Sequence, residues 1–113
     1  MLVSYGMDTL ITYLLRSLKE EEIYKSNQIQ HLESYILRLI TLAHLTHSDL
    51  TVTDLLQNKD LGSAPTIHRY IRQLLNKGLA THVQKNTDSR IKYVIPSEKA
   101  ILLFTELSRS SQT

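Results

Sequence analysis

The sequence has no cysteine and only three glycines among its 113 residues. Without cysteine there can be no disulfide bond, thiolate metal site or thiol redox chemistry. No glycine-rich phosphate-binding loop occurs, and no serine lies in a nucleophile motif such as G-x-S-x-G. We therefore expect a protein that is not an enzyme and that carries no cofactor.

Long hydrophobic runs are also absent. The apolar segments are short and interrupted by charges, and none approaches the roughly 20 residues that a membrane-spanning helix needs. The N-terminus has no basic leader, and Arg16 and Lys19 follow its apolar residues without a small-residue cleavage site. We expect a cytoplasmic protein with no membrane partner, and the length fits one domain.

Charge is unevenly distributed along the chain. Residues 1–62 carry five basic and eight acidic side chains, a balance of −3, whereas residues 63–93 carry six basic side chains against Asp88 alone, a balance of +5. A basic block in an otherwise acidic or neutral small protein is typical of a surface that binds a polyanion. A basic surface that is merely solvated is the alternative.

The N-terminal segment predicts a helix over residues 7–28 with Asp8 as its N-cap. Its apolar side chains recur at three- and four-residue spacing and form one stripe of Leu10, Ile11, Leu14, Leu15 and Leu18. This stripe is larger than a single outer helix needs. We therefore predict that residues 1–30 form a dimerisation element; packing within one chain is the alternative.

The next segment predicts a second helix from Ile29 or Ser34 to His47, then a short stretch over Leu50–Val52. A brief helix over Asp54–Gln57 follows, with Thr53 as its N-cap. His44 and His47 lie three residues apart, with Asp49 close by and His31 one helix earlier. This spacing resembles part of a zinc site, but it fixes no third ligand, so we predict no metal.

The clearest local signals surround residues 63–77. Ser63 is a favourable N-cap, Pro65 lies in the first turn, and Gly78 can end the helix in a left-handed conformation. Two strand-like runs follow, 80–85 and 91–95, joined by a polar tip. A last helix over Glu98–Leu107, capped by Ser97, precedes a polar tail.

This order predicts a mainly α protein with a small β-hairpin, in the α+β class. The fold is a winged helix-turn-helix with an extra N-terminal helix. Residues 31–108 form the DNA-binding domain and residues 109–113 a flexible tail. Helix 63–77 is the one that enters the major groove, and the hairpin is the wing.

Residues 63–80, S-A-P-T-I-H-R-Y-I-R-Q-L-L-N-K-G-L-A, and residues 88–97, D-S-R-I-K-Y-V-I-P-S, resemble the core of MarR-type winged-helix regulators. The shared features are the small polar helix start, the L-x-x-K-G-L end, the D-x-R wing tip and the serine that opens the next helix. The resemblance runs from about residue 34 to residue 100. It implies that Arg90 reaches into the minor groove while Asp88 braces it; a surface ion pair is the alternative.

The sequence departs from that family after Ser97. MarR-type proteins continue into long C-terminal helices that form the dimer and part of a ligand pocket, whereas this sequence predicts one helix of about ten residues. The family's mode of dimerisation and its ligand sensing are therefore not carried over. Whether an effector exists stays unknown.

The candidate DNA contacts follow from the chemistry of the outward side chains. Thr66, His68 and Arg69 are predicted to reach bases, and Arg72 and Lys77 to hold phosphates. The other candidates are polar or basic residues of the same helix and of the wing: Ser63, Gln73, Lys85, Asn86, Thr87, Ser89, Arg90 and Lys92. His68 and His82 flank the basic region and would add charge in mild acid.

We predict a homodimeric, sequence-specific regulator of transcription that binds double-stranded DNA and represses by occupying a promoter. One alternative is a winged helix that mediates protein–protein assembly. Another is a DNA-binding accessory of replication, partition or recombination, which would share every residue feature.

Overall fold

The computed structural model describes residues 4–85, 87 and 90–110. In this part of the chain the helices are α1 (Ser4–Ser26), α2 (His31–Leu45), α3 (Val52–Leu56), α4 (Ala64–Asn76) and α5 (Glu98–Ser110), with a 3-10 turn at Lys59–Leu61. The strands are β1 (Leu50–Thr51), β2 (Ala80–Val83) and β3 (Tyr93–Pro96). The mainly helical fold with a small antiparallel sheet confirms the predicted class.

The boundaries of α1 differ from the predicted ones. The helix begins at Ser4, so Asp8 lies inside it and the prediction that Asp8 is the N-cap is wrong. Gly6, the weakest helix former near this end, costs only about 1 kcal/mol in a helix and does not stop it. The chain leaves the helix after Ser26, and Gln28 takes a positive φ of 59°.

Helix α3 also begins earlier than predicted, and Thr51 caps it instead of Thr53. Thr51 Oγ1 accepts a hydrogen bond from the Asp54 N–H at 3.0 Å, and Asp54 Oδ2 accepts one from the Thr51 N–H at 2.9 Å. This reciprocal pair is a capping box, which satisfies two backbone donors at once. The same threonine ends β1, so one residue closes a strand and opens a helix.

The sheet has a third strand that the sequence analysis did not predict. Strand β3 lies in the centre, pairing with β2 through Val83 and Tyr93 and with β1 through Thr51 and the same Tyr93. Strand β3 corresponds to the predicted run 91–95. It begins at Tyr93, two residues later than predicted, and includes Pro96. The wing, residues 80–96, is therefore attached to the body of the protein along β1.

The core lies between α2, α4, α5 and the sheet. Its completely buried aliphatic side chains include Ile36, Leu37 and Ile40 of α2, Ile67 and Leu74 of α4, and Val94 of β3. Truncating such a side chain to alanine typically lowers stability by about 2–5 kcal/mol. Because α4 and β3 share this core, packing positions the base of the wing, at Val94, relative to α4.

The last helix begins where the sequence predicted. Ser97 Oγ accepts a hydrogen bond from the Ala100 N–H at 3.2 Å and donates one to the Gly78 carbonyl at 2.7 Å. Helix α5 then extends to Ser110, three residues beyond the predicted end at Leu107. No helix among the described residues is long and apolar enough to span a membrane.

Candidate nucleic-acid interface

Both ends of α4 are fixed by the residues that the sequence marked. Ser63 Oγ accepts a hydrogen bond from the Thr66 N–H at 3.4 Å and lies 2.9 Å from Thr66 Oγ1, and Pro65 lies in the first turn. Gly78 has a φ of 71°, which glycine adopts without the strain that a Cβ would cause. These caps fix where α4 begins and ends.

The outward face of α4 is cationic. Ile67, Ile71 and Leu74 pack into the core. On the other side of the helix, His68, Arg69 and Arg72 are exposed and, with Pro65 and Thr66, surround a shallow depression of about 710 Å³. No acidic side chain is among these five residues, so the depression is an electropositive surface of the size that an anionic backbone could contact.

Arg69 is partly oriented by its neighbour. Its Cζ lies 4.9 Å from the centre of the Tyr70 ring, within the range of a cation–π interaction. Such a contact restricts the rotamers of a long flexible side chain. The guanidinium of Arg69 is thus held beside the Tyr70 ring before any ligand binds.

A cleft of about 750 Å³ separates α4 from the wing. Its lining residues are Thr51, Val52, Thr53, His68, Ile71, Arg72, Leu75, His82, Arg90, Ile91, Lys92 and Tyr93. We call this space the cleft. Its floor is largely apolar and its charged members are all basic, so it continues the electropositive surface of α4 toward the wing.

His82 is the cleft residue whose titration is shifted. Partial burial lowers the pKa of His82 below its ordinary value of 6.5, and the nearby positive charge of Lys92 lowers that pKa further. Both effects disfavour the protonated imidazole. In the absence of a ligand His82 is therefore neutral at pH 7.

Lys77 does not join the outward face. Its Nζ donates to both oxygens of the Glu33 carboxylate and to the Gln28 carbonyl at 2.6 Å. The Glu33 side chain is fully buried, and a buried charge must stay paired. We therefore assign Lys77 to the fold, not to the phosphate contacts for which the sequence nominated it.

Gln73 is another candidate that lies off the centre of the outward face. It is half-buried, and its Oε1 is buried without a hydrogen-bond partner among the described residues. One residue corresponds to about 100° of rotation on a helix. Gln73 accordingly lies on the flank of α4, beside the outward face that Arg69 and Arg72 occupy.

Lys85 is half-exposed, but it too is paired with an acidic side chain of the protein. Its Nζ forms an ion pair with Asp49 Oδ2 and lies 5.1 Å from the centre of the Tyr93 ring. Lys85 is not one of the cleft residues. The structure thus separates it from Arg90 and Lys92, with which the sequence analysis had grouped it.

The remaining wing candidates divide into two groups. Thr87, Arg90 and Lys92 are exposed, and the last two line the cleft. Asn86, Asp88 and Ser89 lie outside the described residues.

Sequence reasoning missed the contribution of the β1–α3 junction to the cleft. Thr51 and Thr53 line it, and both hydroxyl groups are of a kind that contacts phosphate. The only sequence signal was the T-V-T triplet, which we read as a capping position alone. Their approach to α4 depends on the pairing of β1 with β3, which is not visible in local sequence.

The apolar stripe of α1 is exposed. Leu14 and Leu18 are 47% and 63% accessible, and Leu10, Ile11, Leu15 and the adjacent Met7 are similarly exposed. The end of α1 nearer Ser26 behaves differently, because Tyr24 belongs to the core. Most of this helix therefore presents uncovered apolar surface within the single chain.

The histidines that suggested a metal site have other surroundings. His44 Nδ1 lies 2.8 Å from Asp49 Oδ1. Within the described ranges, no three histidine or acidic side chains come together as a metal site. His44 and Asp49 are instead part of the contact that holds Lys85.

Comparison with known proteins gives matches at the level of structure. No family model and no curated relative matches the sequence. MepR from S. aureus, in a complex with DNA, superposes with a TM-score of 0.68 at 19% identity over 95% of this chain and 86% of that chain. NadR in complex with 4-hydroxyphenylacetate gives a TM-score of 0.63 at 16% identity, over 97% and 74%.

A mutant of MarR from E. coli gives a TM-score of 0.63 at 12% identity over 100% of this chain and 79% of that chain. At such low identities the likeness concerns the fold. The resemblance of residues 63–97 to MarR-type proteins is confirmed at this level: the chain has the winged helix-turn-helix fold of the MarR-type regulators.

Proposed function

We propose that this protein is a sequence-specific regulator of transcription that binds double-stranded DNA. Helix α4 enters the major groove and wing residues 85–92 approach the adjacent minor groove. The observation that carries this proposal is that the cationic face of α4 and the cationic cleft are continuous. His68 and Arg72 belong to both.

The distribution of side chains supports separate roles for the contacts. Thr66, His68 and Arg69 lie in the first half of α4, the part of such a helix that reaches base edges. Arginine can donate two hydrogen bonds to guanine. Arg72 lies further along the helix, beside the cleft, where it would bind a backbone phosphate.

The wing supplies the second set of contacts. Arg90 is proposed to enter the minor groove, whose negative potential is strongest where A·T tracts narrow it. Lys92, on the cleft side of the wing, would bind the phosphate strand that runs between the two grooves. Thr87 and Ser63 carry hydroxyl groups suited to further phosphate contacts.

The uncovered stripe of α1 supports a homodimer. An apolar face of this extent on a helix that is packed only toward its C-terminal end is typical of a surface that meets a second copy. A two-fold dimer would bind two half-sites about one helical turn apart. We propose that the dimer represses by occupying a promoter, and that its function is binding, not catalysis.

The deciding experiment is a titration of labelled mixed-sequence duplex DNA, followed by fluorescence anisotropy at several salt concentrations. Each neutralised phosphate contributes about −0.9 to the slope of log K against log salt. The two proposed phosphate contacts, Arg72 and Lys92, together would give a slope near −1.8 for one chain and about twice that for a dimer. The slope thus reports both binding and stoichiometry.

Matched arginine variants separate specific contacts from general charge. Arg72→Gln should reduce the magnitude of the slope by about 0.9 for each chain. Arg109→Gln removes the same charge from the far end of α5 and should leave both slope and affinity unchanged. If the protein does not bind DNA even at low salt, the proposal fails, and the same surface becomes a candidate for protein–protein assembly.

Selection of bound sequences from a random pool would then test the remaining claim. Enrichment of one two-fold symmetric site is the expected result for a regulator. A flat distribution of sequences would contradict sequence specificity and favour an accessory of replication, partition or recombination.

A further inference from the structure

Outside the proposed interface, Asp49 carries a carboxylate that is almost completely buried. Its side chain is only 5% exposed. Each of its oxygens has a different cationic or polar partner: Oδ1 lies 2.8 Å from His44 Nδ1, and Oδ2 is paired with Lys85 Nζ. A buried carboxylate is tolerated only when it is paired in this way.

The three residues come from three separate parts of the fold. His44 lies in the last turn of α2, Asp49 directly precedes β1, and Lys85 follows β2. In the sheet, β1 and β2 lie on opposite sides of the central strand β3. The Lys85 side chain therefore crosses the sheet, passes over the Tyr93 ring and ends on Asp49.

This arrangement has a mechanical consequence for the wing. Strands β2 and β3 have four residues each, and a two-stranded hairpin of this length is only marginally stable by itself. The ion pair ties the outer edge of that hairpin back to helix α2 through Asp49 and His44. It thereby limits the angles at which the wing can leave the body of the protein.

We propose that Asp49 is a positioning residue for DNA binding, which acts through Lys85 and His44 to fix the wing, and that Lys85 makes no phosphate contact. This proposal rests on the proposed function. If Lys85 moved to a phosphate, the buried Asp49 would lose its cationic partner, and uncompensated buried charge is strongly unfavourable. On the part of the wing that Lys85 holds in place, Lys92 carries the phosphate contact and Arg90 enters the minor groove.

Asp49→Asn gives the sharpest test, because simple electrostatics and positioning predict opposite results. The substitution keeps the shape of the side chain and makes the protein more positive, which alone would strengthen binding to DNA. We expect it to weaken binding, because the wing is no longer held. Asp60→Asn removes an exposed acid of the 3-10 turn and serves as the matched control, with affinity unchanged or slightly increased.

Lysine variants test the second half of the proposal. Lys85→Met and Lys92→Met should both weaken binding, but only Lys92→Met should reduce the magnitude of the salt slope, by about 0.9 for each chain. Lys85→Arg keeps a cation beside Asp49 and Tyr93 and should retain the wild-type affinity for DNA that Lys85→Met loses. A slope reduction for Lys85→Met equal to that for Lys92→Met would overturn the proposal, as would wild-type or tighter binding by Asp49→Asn.

A measurement without DNA separates this proposal from the proposed function. In urea unfolding of the free protein, the combination of Asp49→Asn and Lys85→Met should show a coupling of about threefold or more in the unfolding equilibrium constant. Hydrogen exchange of the β2 and β3 amides should also accelerate in Asp49→Asn. If wild type binds no DNA, the proposed function fails and the positioning role fails with it, while the coupling still reports the tie between Asp49 and Lys85. If wild type binds DNA and the effects of the two substitutions are additive, only the positioning role fails, because the contact does not hold the wing.

Discussion

Lys77 Nζ lies 2.7 Å from Glu33 Oε2 and 2.8 Å from Glu33 Oε1, and the Glu33 side chain has no exposed surface. Glu33 Oε1 also accepts a hydrogen bond from the Gln30 N–H at 3.1 Å, so the carboxylate caps α2 while it binds the end of α4. The pair joins the two helices at the end of α4 that is distant from the proposed base contacts. It fixes the direction in which α4 points.

Lys77→Met should therefore lower the free energy of unfolding by about 3–5 kcal/mol, because the buried Glu33 carboxylate would lose its cation. Urea unfolding followed by circular dichroism measures this change. Lys59→Met, at an exposed lysine of the 3-10 turn, is the control and should change stability by no more than about 0.5 kcal/mol. Equal effects of the two substitutions would contradict the structural role of Lys77.

The sequence around Lys77 is compatible with two roles for its side chain, and only the fold distinguishes them. A lysine at the end of a basic helix is compatible both with phosphate binding and with an ion pair to a distant acid. Its partner Glu33 is 44 residues away, and only the packing of α2 on α4 brings them together. The same argument holds for Lys85 and Asp49, which are 36 residues apart.

The local signals around α4 were more reliable, although those for the caps of α1 and α3 were not. The start of α4 at Ser63 and its end at Gly78 follow from the conformational preferences of single residues, and both predictions were correct. The exposed faces of α1 and α4 follow from helical periodicity. By contrast, β1 has two residues, too few for any alternating pattern, and it forms only because β3 supplies hydrogen-bond partners.

The choice between Thr51 and Thr53 as the cap of α3 can be measured directly. Thr51→Ala removes the hydroxyl that accepts from the Asp54 N–H and should lower the free energy of unfolding by about 1 kcal/mol. Thr53→Ala replaces an exposed threonine inside the same helix and should have little effect, since alanine is the better helix former. A larger loss from Thr53→Ala in thermal or urea unfolding would restore the cap predicted from the sequence.

DNA binding should strengthen as the pH falls from 8 to 6, because His82 gains a proton in the complex. The free protein has a lowered pKa at His82, through burial first and Lys92 second. A phosphate in the cleft would favour the imidazolium and raise that pKa. The gain in affinity is complete below the pKa of the free protein and is lost as the pH rises through the higher pKa of the complex.

The stability of the free protein should change in the opposite direction. Because folding lowers the pKa of His82, the unfolded chain binds more protons, and the contribution of this residue to stability decreases as the pH falls below about 6.5. His82→Gln should remove the part of both effects that His82 contributes. His31→Gln, at a histidine of α2 that does not line the cleft, is the control and should retain them; an affinity unchanged between pH 8 and pH 6 in wild type would contradict the linkage.

The oligomeric state can be tested with a double substitution that preserves the helicity of α1. Leu14→Glu combined with Leu18→Lys places a favourable i, i+4 charge pair on the exposed stripe, which keeps α1 helical while making its surface polar. If the stripe binds a second copy, wild type is a dimer in sedimentation equilibrium and the double variant is a folded monomer. The variant should also show about half the wild-type salt slope on DNA.

Leu42→Glu is the matched control for that experiment, because Leu42 is equally exposed but lies on α2. It should leave the dimer intact, because the substitution removes apolar surface outside the proposed α1 interface. A monomeric wild type would remove the dimer from the proposed function. Unfolding of the double variant, detected by circular dichroism, would instead show that the stripe packs within its own chain, and the exposed face of α1 would need another explanation.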